Sequence, residues 1–153
     1  MDEKSSEYLT VLRDRYFPEK RNYLKAHLTL FHKLSEEQGP RVLNDHGLSK
    51  TRIEFKRPYS LGLGVAIEAE SPELLSFKIK KIKEFHDALT PQDQNKGRLH
   101  ITIQNKVSVP RAKATLKEVE GLWKPFSGRI TGLQLWEYLG GPWQLFREEN
   151  FGN

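Results

Sequence analysis

The stretch KAHLTLFHKL, residues 25–34, is answered by RLHITIQNKV, residues 98–107. Set one above the other, they agree at almost every second position. Each has a basic residue, His two places on, Thr two places further, and Lys four places after that. Neither contains Gly or Pro, and both alternate polar with apolar, which predicts two β-strands. Side chains on a strand point to alternate faces. Lys25, His27, Thr29, Phe31 and Lys33 are therefore expected on one face, with Leu28, Leu30 and Leu34 in a core. Arg98, His100, Thr102, Gln104 and Lys106 are expected to share a face in the same way, with Ile101, Ile103 and Val107 behind.

The rest of the chain surrounds these stretches with short elements. SSEYLTVLRDRYF spaces Tyr8, Leu9, Leu12 and Tyr16 as a helix, with Ser6 as its N-cap and Pro18 beyond its end. SEEQGPRVLNDHGL is turn-rich, with a short helix expected around Arg41 to Asn44. TRIEFKRPY and GLGVAIEAE read as strands. Ser71 and Pro72 open a helix with the apolar stripe Leu75, Ile79, Ile82 and Leu89, and Phe85 beside it. Pro110 opens another through Ala112, Leu116, Val119 and Trp123. GRITGLQLWEYL and PWQLFREE close the chain as a hairpin turning at Gly140-Gly141-Pro142. This order predicts an α+β fold of mainly antiparallel sheet with flanking helices. The doubled stripe predicts one domain over residues 1–153 with two similar lobes, each placing one stripe.

Composition bounds the function. A chain of 153 residues fits one domain with a real core. There is no run of 18 apolar residues, so no membrane partner is expected. MDEKSSEY lacks the basic-then-apolar pattern of a secretory signal. With no cysteine, disulfides and thiolate metal sites are excluded, and a cytoplasmic monomer is the expectation. The net charge of +5 favours anionic partners mildly.

If the two polar faces meet, they bring together two imidazoles, two hydroxyls and several cations. That set suits phosphate chemistry. A neutral His can take a proton from an attacking hydroxyl, and an imidazolium can give one to the leaving oxygen. Thr hydroxyls can donate to non-bridging oxygens as charge builds there. His27 and His32 lie on opposite strand faces, and no acidic residue sits at metal-ligand spacing beside either motif. No metal and no cofactor are therefore expected. A lone His-x-Thr on a strand is usually surface decoration; two with matched flanks are not.

The paired tetrads HLTL and HITI resemble those of the 2H phosphoesterase superfamily, which includes the 2′-5′ RNA ligase-like (LigT-like) proteins and cyclic nucleotide phosphodiesterases. The segments FPEKRNYLKAHLTLFHKL, LGLGVAIEAES, LTPQDQNKGRLHITIQNKV and LQLWEYLGGPW are similar to a bacterial branch of that family. The resemblance implies a bilobal, duplicated fold with one His-x-Thr strand per lobe lining a central cleft. It implies opening of a 2′,3′-cyclic phosphate to a 2′-phosphate, or the reverse joining of RNA ends by a 2′-5′ linkage. Partners would be RNA ends or small nucleotide cyclic phosphates. His27, Thr29, His100 and Thr102 fall on the functional positions, and which His is acid and which base stays open. Lys25, Phe31, Lys33, Arg98, Gln104 and Lys106 are the expected substrate contacts: Phe31 by stacking on a base or by packing, Gln104 by hydrogen bonding. Two departures stand out. Relatives usually begin with a strand before the first helix, and Leu99 precedes the second His where relatives often have Pro. The competing reading is a non-catalytic RNA or nucleotide-binding module with a cationic groove. Tyr59, Trp136, Tyr138 and Trp143 are read as core or interface aromatics, and His32, His46 and His86 as structural or loop residues.

Overall fold

A four-stranded sheet carries the second tetrad. In the computed structural model, which describes residues 1–152, its strand order is β3-β2-β1-β4. These are β1 (Thr51–Ser60), β2 (Val65–Glu70), β3 (His100–Gln104) and β4 (Phe126–Ile130). β1 pairs antiparallel with β2, and β2 antiparallel with β3. Ile53 and Phe55 of β1 are buried, as their alternation predicts. The tight β1–β2 connection needs Gly64, because a Cβ there would lie 2.0 Å from the Gln104 carbonyl oxygen.

The chain forms two compact units. The first holds residues 1–29, 52–70 and 98–129, and the second holds 30–51, 71–97 and 130–153. In the first unit, α1 (Glu3–Tyr16) packs on β3, and α5 (Val109–Leu122) contacts β2. Leu9, Ile53, Phe55, Val65, Ile67, Ile101, Ile103, Ala112 and Val119 are buried there. The N-cap of α1 is Asp2, not Ser6: its carboxylate accepts from the Ser5 N–H at 3.0 Å. Asp also carries the charge that suits a helix N-terminus.

The second unit contains α2 (Gln38–Asn44), α3 (Pro72–Phe85), α4 (Pro91–Gln94) and the hairpin β5 (Gly132–Glu137) with β6 (Gln144–Asn150). α2 lies against β5, where Gly39 leaves room for Leu135. GRITGLQLWEYL is not one strand. It breaks at Thr131 into β4 and β5, which belong to different sheets. The buried stripe of α3 is Leu74, Phe77, Lys78, Lys81, Ile82 and Phe85. It is displaced from the expected one because two lysines occupy it. Their alkyl stems pack as apolar surface, and the Lys81 ammonium reaches Glu84 at 2.9 Å.

Candidate active site

All four tetrad residues lie in the first unit: His27, Thr29, His100 and Thr102. They had been expected one pair per lobe. Instead Leu28 forms an antiparallel bridge with Ile101, so the two stretches run side by side. In that register His27 falls opposite Thr102, and Thr29 opposite His100. Leu28 and Ile101 point away from this face, since successive side chains alternate. The result is a square with the histidines on one diagonal and the threonines on the other. Diagonal neighbours in such a pair are roughly 7–8 Å apart at the backbone. All four side chains are half-buried.

The two imidazoles are held alike. His27 Nδ1 lies 2.8 Å from the Lys25 carbonyl oxygen, and His100 Nδ1 lies 2.9 Å from that of Arg98. A carbonyl oxygen can only accept, so in both rings Nδ1 carries hydrogen and donates. That leaves Nε2 of each ring as the atom that takes or gives a proton.

The backbones beneath them differ. RLHITIQNKV gives a true strand, β3, inside the sheet. KAHLTLFHKL does not form the predicted strand beyond its single bridge. Its backbone groups go to other partners. The Ala26 N–H donates to Thr10 Oγ1 at 3.1 Å, and the Lys25 carbonyl is taken by the His27 ring. After Thr29 the chain enters the second unit, where the N–H groups of His32 and Lys33 both donate to the Asp93 carboxylate at 2.8 Å.

Arg13 is the main residue that pattern reading missed. It is buried in α1 and donates Nη1–H to the Thr102 carbonyl at 2.9 Å and Nε–H to Asn22 Oδ1 at 2.9 Å. Its guanidinium also stacks 3.9 Å from the Phe17 ring centre. The signal was present: Arg13 stands four residues after Leu9, on the buried stripe Ser5, Leu9, Arg13, Tyr16. Burial pushes the His27 pKa below the ordinary histidine value, and the Arg13 charge pushes the same way, against the hydrogen bond to Lys25.

The outlying substrate contacts fare less uniformly. Lys25 and Arg98 are exposed in the first unit beside their histidines in sequence. Gln104 does not share the tetrad face. The pairs Val65–Gln104 and Ala66–Thr102 show a bulge, which breaks the alternation after Thr102. Gln104 is buried and donates to Thr115 Oγ1 of α5 at 2.8 Å. Lys106 lies beyond the end of β3 with φ +58°, in a turn rather than on a strand. Phe31 and Lys33 belong to the second unit, Phe31 half-buried and Lys33 exposed. Tyr59, read as a packing aromatic, is half-buried with its ring perpendicular to that of His100, 6.2 Å between centres. Its reach follows from the register, because Tyr59 pairs with Ala66 and Ala66 with Thr102, and alanine leaves the space between them open. His32 is not on the apolar side as expected: its ring is half-exposed, with Nδ1 3.1 Å from Asp93.

Among the described residues, no three His, Cys, Asp or Glu side chains come together as a metal site. No helix among them is long and apolar enough to cross a membrane. Charge is divided unequally: the first unit has sixteen Lys and Arg against ten Asp and Glu, the second nine against ten.

Compared with known sequence families, residues 1–142 match the profile described as the 2′-5′ RNA ligase superfamily. The search of curated proteins found no match.

Proposed function

Because the chain belongs to the 2′-5′ RNA ligase superfamily, we propose that it is a metal-independent phosphoesterase that opens 2′,3′-cyclic phosphates on RNA ends or small nucleotides, or joins 2′-5′ ends in reverse. The observation that carries the reading is the matched pair of Nδ1–carbonyl hydrogen bonds. Each presents an Nε2, and the two rings stand diagonally across the square. A phosphate between them has an acid–base group on each side, as in-line displacement requires. The threonine hydroxyls on the other diagonal can donate to its non-bridging oxygens.

The two histidines take different parts in this reading. The depressed pKa of His27 keeps it neutral near pH 7, so it serves as general base on the attacking water. His100 then protonates the departing ribose oxygen. In the ligase direction the parts reverse, with the same atoms. The chain works as one domain and a cytoplasmic monomer, with no cofactor.

The test is conversion of a dinucleotide ending in a 2′,3′-cyclic phosphate, with EDTA present, to a single phosphate isomer. Wild type should convert it; His27→Ala and His100→Ala should not. A phosphodiester with an activated leaving group assigns the parts. It needs no acid, so His100→Ala should recover much of its rate there, while His27→Ala should not. Recovery by His27→Ala instead would reverse the assignment. Turnover by both alanine variants at the wild-type rate would overturn the catalytic parts given to the two histidines, and absence of turnover by wild type would leave the binding-module reading, which predicts salt-dependent nucleotide binding without turnover.

A further inference from the structure

We infer that the sheet beside His100 carries a second phosphate subsite, built on Arg57 and Arg98, and that the preferred ligand has a further phosphodiester next to the reacting one. The inference rests on the catalytic reading above for what lies next to it, not for its own geometry.

Glu68 of β2 pairs directly with His100 in the sheet. One carboxylate oxygen of Glu68 lies 2.8 Å from Arg57 Nε, and the other lies 3.4 Å from Arg98 Nε. A single acid thus holds two guanidinium groups, both through Nε. Among the described residues, no hydrogen bond or ion pair engages the terminal Nη atoms of either. Two positive charges against one negative leave an excess of one at this point. The Arg98 guanidinium also lies 4.6 Å from the centre of the Tyr59 ring, which stands perpendicular to the His100 ring. The ring and the carboxylate together restrict a side chain that would otherwise be free, lowering the ordering cost of binding.

A planar fork with free Nη donors is the geometry that meets phosphate oxygens in pairs. Arg57 stands on β1, two strands over from β3 at about 4.8 Å each, and Arg98 stands two residues before His100 at about 3.3 Å each, so the backbone positions of the pair lie roughly 7–10 Å from that of His100. That is the span of a neighbouring nucleotide linkage, not of the scissile phosphate itself. An isolated nucleoside cyclic phosphate has nothing to place there; an RNA end has its next phosphodiester.

Binding, not turnover, tests this. The ligands are a nucleoside 2′-monophosphate and a dinucleotide with one internal phosphodiester and the same 2′-phosphate end, measured by calorimetry at several salt concentrations. Wild type should bind the dinucleotide on the order of tenfold more tightly, the scale of one charge-assisted contact. The double variant Arg57→Gln, Arg98→Gln should lose that preference. Its salt slope for the dinucleotide should fall by about one. The single variant Arg57→Gln, at a side chain 69% exposed, guards against a folding effect and should lose part of the preference while keeping its affinity for the mononucleotide. Equal binding of the two ligands by wild type, no binding of the dinucleotide, or a preference surviving in the double variant would each overturn the subsite. A protein that shows the preference but turns over no cyclic phosphate would keep the subsite and lose the catalytic reading.

Discussion

The two His-x-Thr stretches share a side-chain pattern and not a backbone. RLHITIQNKV is held as a strand, paired with β2 along its length. KAHLTLFHKL makes one bridge and is otherwise held by side chains from elsewhere: Thr10 on Ala26, and Asp93 on His32 and Lys33. Yet both imidazoles end in the same pose, because each donates Nδ1–H to the carbonyl two residues before it. Local chemistry therefore sets the orientation of the rings, and strand pairing only brings the two copies together. A sheet ladder is cooperative, whereas side-chain tethers are broken one at a time.

The comparison can be broken at several depths. The largest effect is expected from His27→Ala and His100→Ala, each lowering turnover of the dinucleotide 2′,3′-cyclic phosphate by at least about 10²–10⁴-fold, measured with the fold checked by circular dichroism. Next is Arg13→Met, which keeps the apolar stem but leaves the Thr102 carbonyl without its donor. A loss of about 3 kcal/mol in denaturant unfolding is expected for this buried charged hydrogen bond. Proton NMR should also show the His27 pKa rising, since a neighbouring positive charge has gone. No movement would mean burial alone holds His27 neutral.

Asp93→Asn should cost about 2 kcal/mol and speed amide exchange at His32 and Lys33, with β3 unaffected. Burial pushes the Asp93 carboxyl up, but the N–H groups of His32 and Lys33 and the His32 ring outweigh it and hold the pKa below the ordinary value. The stability this provides is present above the ordinary carboxylate pKa and is lost as pH falls through the lower folded value. The variant should therefore flatten that acid limb. The smallest effect is expected from Thr10→Val, which removes the acceptor of the Ala26 N–H. About 1 kcal/mol and a small fall in kcat should follow, through His27 alone.

Much of this was legible in the sequence, and the failures have physical causes. The tetrads, the interleaved elements and the burial of Ile53 and Phe55 follow from period-two alternation. Gln104 and Lys106 were misplaced because alternation cannot reveal a bulge, which arises from pairing with Val65 and Ala66. The stripe of α3 was misplaced because an apolar periodicity passes over lysines, although Lys78 and Lys81 are buried. Arg13 went unread for the same reason: a charge on an apolar stripe looks like an interruption until its partner, a carbonyl 89 residues away, is known. The role of Tyr59 depended on Ala66 across the strand, a cross-strand fact with no trace in local sequence.

The chain passes between its two units five times, at residues 29–30, 51–52, 70–71, 97–98 and 129–130. Each unit is thus a composite of three separate segments. No single cut, and no exon-like fragment, can yield either unit whole. A nascent chain cannot finish the tetrad-bearing unit until synthesis has reached β4, because α1 and β1 wait for β3, α5 and β4. Such non-local closure slows folding relative to a helical bundle of similar length. It also means that the two halves of this molecule cannot be gained or lost separately in evolution, and a gene rearrangement that separates them removes both.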